Sequence, residues 1–153
     1  MGDSVTVKVT GLENVVQKMR EVGPKISRGL IRQALKDVGE MWVERAQAEA
    51  PEDDGDLIDS IKAKVTTRAE NKDGAANIPV GAVEVGPTMT RRSDGKDSVG
   101  PGIYGMWVEF GLKHKKYPKN PFMRRTYDAT AEKAVDLFAE TLANGLDEAL
   151  QGD

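Results

Sequence analysis

The chain has 153 residues, and a single domain of that size buries roughly two thirds of its unfolded surface. Hydrophobic residues make up 39% and charged residues 31%, which predicts one modest core under a large polar surface. No apolar run approaches the ~18–20 residues of a membrane span, and the opening MGDSVTVKVT lacks the basic and apolar blocks of a signal peptide. Zero cysteines exclude disulfides and thiolate metal sites, so the expectation is a soluble protein of a reducing compartment.

Val5, Val7 and Val9 alternate with polar residues ahead of Gly11, which predicts a first strand with one buried face. Leu12, Val15, Val16 and Met19 switch to helical spacing, and Gly23-Pro24 ends that short helix and opens the next. Ile26, Leu30, Ala34, Leu35, Val38, Met41, Trp42 and Ala46 form one apolar stripe over about seven turns. This long central helix is expected to stop near Ala50, because Pro51 disfavours helical geometry in the residue before it.

Pro51 to Asp56 reads as an acidic, turn-rich elbow, after which Leu57, Ile61, Ala63 and Val65 predict a second strand. A loop over 69–77 precedes a third strand at Val80, Val83 and Val85. The aromatic and β-branched run IYGMWVEFG at 103–111 predicts a fourth. Between these last two, TMTRRSDGKDSVGPG has no periodicity and is longer than compact domains tolerate without a reason, so a flexible loop is expected over 87–102. It is either disordered or ordered by a partner. Asn120-Pro121 is a cap and first-turn proline for a last helix, with Tyr127, Ala131, Ala134, Val135, Phe138, Leu142, Leu146 and Ala149 as its buried stripe. The fold expected is α+β: one domain over 1–153, with an antiparallel sheet of about four strands and the long central and C-terminal helices packed on one face.

The formal charge of −3 is unevenly spread. Residues 40–59 carry Glu40, Glu44, Glu49, Glu52, Asp53, Asp54, Asp56 and Asp59 against Arg45 alone, netting −7. Residues 87–128 carry nine Lys or Arg against four acids, netting +5, and the tail from Glu132 nets −5. One chain thus offers both halves of a charge-complementary contact.

Chemistry finds little purchase in this pattern. The acids Asp53, Asp54, Asp56 and Asp59 lack the glycine and the closing bidentate Glu of a calcium loop, so turn-capping side chains on a solvated elbow are the preferred reading over a metal enzyme. His114, the only histidine, lies in the cationic run Lys113-His114-Lys115-Lys116 with no local triad partner. No glycine-rich phosphate loop is present, since GPG at 100–102 has no following Lys-Ser/Thr. No catalytic residue, metal or cofactor is assigned. The basic residues Arg91, Arg92, Lys96, Lys113, Lys115, Lys116, Lys119, Arg124 and Arg125 suit nucleic-acid backbone, but the acidic net charge argues against a dedicated binding domain. Passage of DNA through a channel, or pairing with the acidic face of a neighbouring copy, fits better. A cytosolic nucleic-acid-associated domain using residues 91–125 is the alternative.

Two segments together resemble a known family. AEAPEDDGDLIDSI at 48–61 is similar to the pattern Ala-Pro-x-Asp-Thr-Gly-x-Leu-Arg-x-Ser-Ile, matched at Ala50, Pro51, Asp53, Gly55, Leu57, Ser60 and Ile61. Some forty residues on, Tyr104, Val108, Glu109, Phe110, Gly111, Pro121, Phe122, Met123 and Arg124 match a second signature, Val-Glu-Phe-Gly followed by Pro-Phe-Met/Leu-Arg. The resemblance is to the neck or tail-completion family of siphophages, named after the tenth gene product of the Hong Kong ninety-seven type phages. Asp54, Ile58 and Leu112 depart from its pattern.

The resemblance implies a virion protein, assembled in the host cytoplasm. It would form a ring at the head-tail junction, six-fold rather than twelve-fold, through which DNA passes. Its partners would be its own copies, a head-closure or adaptor ring, and the tail terminator or tail tube. A closed ring needs a heterologous interface. Glu44, Asp53, Asp54, Asp56 and Asp59 on one side, and Lys115, Lys116, Arg124 and Arg125 on the other, are candidates for its two patches. Arg91, Arg92 and Lys96 are candidates for the lumen or a partner loop. Among the motif residues, Pro51 would end the long helix and Gly55 would permit the turn. Phe110 and Phe122 would pin the last strand and last helix to the core, and Leu57, Gly111 and Pro121 complete the motif residues. Glu109 is either an outward-facing strand residue or a partner for a basic group such as Arg124.

Overall fold

Periodicity and punctuation place the helices of this chain. The computed structural model describes residues 10–52, 55–69, 79–88, 100–112 and 118–152. Helix α1 spans Leu12–Val22 and ends at Gly23, whose amide bonds the Met19 carbonyl at 3.2 Å. Helix α2 follows from Pro24 to Glu49, with proline as its first residue and Pro51 just beyond its end. Gly55, with φ of 81°, starts the short helix α3, Asp56–Ser60, which leads directly into strand β1, Ile61–Ala69. Strand β2 covers Pro79–Pro87. Helix α4 is Pro101–Phe110, and helix α5 runs from Phe122 to Gln151, about 45 Å at 1.5 Å per residue.

The class is α+β, with long helices against a small antiparallel sheet, but the sheet has two strands, β1 and β2, among the described residues rather than about four. Val5, Val7 and Val9, and the segment 89–99, lie outside those residues. The run at 103–111 is not a strand. Its helix is punctuated by Pro101 in the first turn and by Gly111, whose positive φ of 74° and amide bond to the Trp107 carbonyl (2.8 Å) close it. Leu57 is helical rather than extended, and the strand begins four residues later at Ile61.

The chain forms two compact units, and α2, α5 and both strands contribute residues to each. In the first unit Ile31 and Ala34 of α2 pack with Leu142 and Leu146 of α5, flanked by Val15, Met19 and Val22 of α1. Here the sheet meets α2 closely. A Cβ on Gly81 would lie 2.5 Å from Leu35 Cδ1 and 3.0 Å from Ile31 Cγ2. Ser27, buried, donates from Oγ to the Met19 carbonyl at 2.8 Å, satisfying a helix-end acceptor. Ile26, expected in the buried stripe, is exposed instead, and Ile31 takes the inward position.

In the second unit Ala46, Ala50, Leu57, Ile61, Val108 and Phe122 form the core, and Phe122 is fully buried. Trp42 and Tyr127 stack at a tilt, with centroids 6.3 Å apart, though Tyr127 remains 41% exposed rather than buried as expected. Gly105 turns inward from α4, where a Cβ would come within 2.8 Å of Pro87 Cγ and 3.1 Å of Leu57 Cδ1. That contact explains a glycine inside a helix, where alanine would otherwise be preferred by about 1 kcal/mol. Phe110 does not pin anything to this core, because it points outward with 72% exposure.

Candidate interface site in the second unit

Hydrogen bonds hold α3 to the end of α2 and to the end of β2. Ser60 Oγ donates to the Leu57 carbonyl (2.7 Å), and the Ser60 carbonyl accepts from the Thr88 amide (2.9 Å). Gln47 on α2 donates to the Ile58 carbonyl at 3.1 Å, which holds α3 against the end of α2. On the far side of the core, the Asn120 amide bonds the Val108 carbonyl at 2.8 Å.

Glu109 has a role that neither sequence reading anticipated. Its carboxylate accepts the Met123 amide at 2.9 Å and the Arg124 amide at 3.1 Å, so the last turn of α4 caps the first turn of α5. A negative charge there satisfies orphan amide groups and meets the positive end of the helix dipole. Glu109 therefore bonds the backbone of Arg124, while the Arg124 guanidinium turns to Asp128 on its own helix at 3.1 and 3.2 Å.

The structure also brings part of the acidic and basic segments together within one chain. Arg125 donates from Nε to Glu49 Oε2 (3.0 Å) and from Nη2 to the Glu49 carbonyl (3.3 Å), and Arg45 reaches Glu49 Oε1 at 2.7 Å. Two candidate interface cations, Arg124 and Arg125, are thus engaged inside their own chain. Both arginine side chains stay near 45% exposed, and pairs at such exposure contribute little to stability. Glu44, Glu52, Asp56 and Asp59 are exposed on α2, the elbow and α3. Asp53, Asp54, Lys115, Lys116, Arg91, Arg92, Lys96 and His114 lie outside the described residues. No three His, Asp or Glu side chains gather as a metal site among the described residues.

The Arg125 hydrogen bond holds the Glu49 carboxyl below the usual carboxylate range; partial desolvation opposes this, and the charges of Arg45 and Arg125 add to the lowering. A depressed folded pKa contributes stability that is present at neutral pH and lost as pH falls through the lowered value. Glu49→Gln should therefore melt below the wild type at pH 7, with the gap narrowing as pH falls below ordinary carboxylate values and through the lowered one. A gap independent of pH across that range would rule the pairing out as its cause.

One surface feature was not foreseen. On α4 the side chains of Ile103, Met106 and Phe110 are 45%, 50% and 72% exposed, although the helix carries no charged residue except Glu109. In the sequence it shows only as an apolar stretch with no polar face, a pattern that also fits a buried strand.

No helix among the described residues is long and apolar enough to cross a membrane. Neither curated proteins nor solved structures give a match to the chain. Residues 12–111, from the start of α1 to the end of α4, match the family described as "Bacteriophage HK97-gp10, putative tail-component". That span is well over half the chain and holds the first signature together with Val108-Glu109-Phe110-Gly111, whereas Pro121 to Arg124 lie beyond it. The chain belongs to the HK97-gp10-like family of bacteriophage proteins.

Proposed function

We infer that the protein is a structural virion subunit that forms a ring at the phage neck, joins the DNA-filled head to the tail, and lets DNA pass through it. Membership of a phage tail-component family carries this reading, because such components act by contact with other virion proteins. The polarised charge supports a head-to-tail contact between copies. Exposed Glu44, Asp56 and Asp59 are assigned to one side of it and exposed Arg124 and Arg125 to the other, and the sequence adds Asp53 and Asp54 to the acidic set and Lys115 and Lys116 to the basic one. Arg91, Arg92 and Lys96 are assigned to the lumen or to an adjacent ring, and six copies would match the tail. Arg124 and Arg125, bonded within the chain yet about 45% exposed, are assigned a role in guiding register between copies.

Particles assembled without this protein are the test. Electron micrographs should show DNA-filled heads without tails beside free, complete tails. Intact virions, or heads joined to tails of abnormal length, would exclude a joining role.

A further inference from the structure

Charge in the first unit is sorted by helix. Residues 24–36 of α2 hold Lys25, Arg28, Arg32 and Lys36 and no acid, whereas residues 132–148 of α5 hold five acids and one cation, Lys133. At 100° per residue the α2 cations fall within an arc of about 80° and run about 16 Å along the helix. Glu132, Asp136, Glu140 and Asp147 likewise fall within about 80° on α5. All of these residues are exposed.

Neither helix gains stability from this layout. Lys25 and Arg28 stand at the N-terminal end of α2, where the dipole favours acids and the first turn has none. Glu148 stands in the last turn of α5, where cations are favoured and none is present. Few of the charges are used within the unit. Arg32 reaches Thr67 Oγ1 of β1 at 3.5 Å, and Asp147 pairs with Lys18 of α1. Lys25, Arg28, Glu132, Asp136 and Glu140 enter no ion pair with another described residue.

The two stripes also point apart. Leu30, Ile31 and Ala34 of α2 meet Leu142, Gly145 and Leu146 of α5 along one seam, where a Cβ on Gly145 would lie 2.6 Å from Leu30 Cδ2. The centre of the basic stripe is about 150° round α2 from that seam, and the centre of the acidic stripe about 125° round α5. Each therefore looks outward, on opposite sides of the helix pair.

We infer that the basic stripe of α2 seats against the acidic stripe of α5 on a second copy of this chain, as a head-to-tail contact through the first unit. This deepens the ring reading and rests on it. Two different faces meet, so the contact can repeat from copy to copy and close. Opposed charge of this kind fixes register and speeds encounter. A nucleic-acid backbone would also match the basic stripe, but it leaves the equal and opposite stripe on the same unit without a role.

The test uses the full chain and light scattering after size exclusion. The wild type should be an oligomer, weakened as salt rises from about 0.1 to about 1 M, which cuts the screening length from about 10 to about 3 Å. The triple variant Lys25→Glu, Arg28→Glu and Arg32→Glu should assemble at least about tenfold more weakly, and so should Glu132→Lys, Asp136→Lys and Glu140→Lys. Far-ultraviolet dichroism should be unchanged in both, because the replaced side chains are exposed. An equimolar mixture of the two variants should assemble again, since each reversed stripe then meets its opposite on the other chain. Variants that assemble like the wild type, assembly indifferent to salt, or a mixture no better than its parts would overturn the contact and leave the ring reading standing. An α2 variant that keeps its oligomer but no longer shifts a DNA duplex in a gel would also overturn it, in favour of nucleic acid. A wild type that stays monomeric throughout would sink both readings.

Discussion

Phe122→Ala is expected to destabilise the protein by about 3–5 kcal/mol, the range for removing a fully buried aromatic ring. Phe122 opens α5 and has no exposed surface, and it packs among Ala46, Ala50, Leu57, Ile61 and Val108. Four of those neighbours are already small or β-branched, so they cannot swing into the space left by the ring. The lost transfer energy and the residual cavity therefore add. The midpoint of thermal unfolding should fall by about 10 °C, at roughly 2–4 °C per kcal/mol for a protein of this size. Phe122→Leu should recover more than half of the loss. An alanine variant within 2 °C of the wild type, on the order of the smallest shift that scale makes meaningful, would show that the core does not depend on this ring.

Glu109→Ala should cost about 2 kcal/mol, on a separate physical basis. The carboxylate accepts two amide groups in the first turn of α5, at 2.9 and 3.1 Å. Charge-assisted hydrogen bonds contribute about 1.5–3 kcal/mol, against about 1 kcal/mol for neutral ones. Glu109→Gln keeps one acceptor oxygen and loses the charge, so it should fall between the alanine variant and the wild type. Denaturant titration gives the readout: a lower midpoint with an unchanged slope, which marks a loss of stability rather than a change in the unfolded chain. Because the bonds join residues 14 and 15 positions apart, the loss should also release α5 from α4. Hydrogen exchange at Met123 and Arg124 should then accelerate far more than at the centre of α5. Equal exchange at both places would remove Glu109 from its capping role.

Particular elements show how far the sequence could be read. Helices α1, α2 and α5 were legible because their apolar residues recur at helical spacing between Gly, Pro and Asn signals, and β2 was legible from Val83 and Val85. Helix α4 was not. Its apolar residues cover every face, so no period of 3.6 emerges, and aromatic and β-branched composition then favours a strand. The same lack of a polar face left Phe110 assigned to the core when it stands on the surface. At the candidate site, the acidic and basic segments were visible as charge runs, but the bond from Arg125 to Glu49, 76 residues apart, was not.

The sequence by itself determined the class of the fold, the ends of the long helices, the absence of a cysteine framework and the two family signatures, because those depend on composition and short-range spacing. Tertiary structure alone decided that Gly105 must remain without a side chain, that Glu109 caps a helix 14 residues away, and that Phe110 on α4 is exposed. Each of these depends on which distant segment lies alongside, and local periodicity carries no record of that.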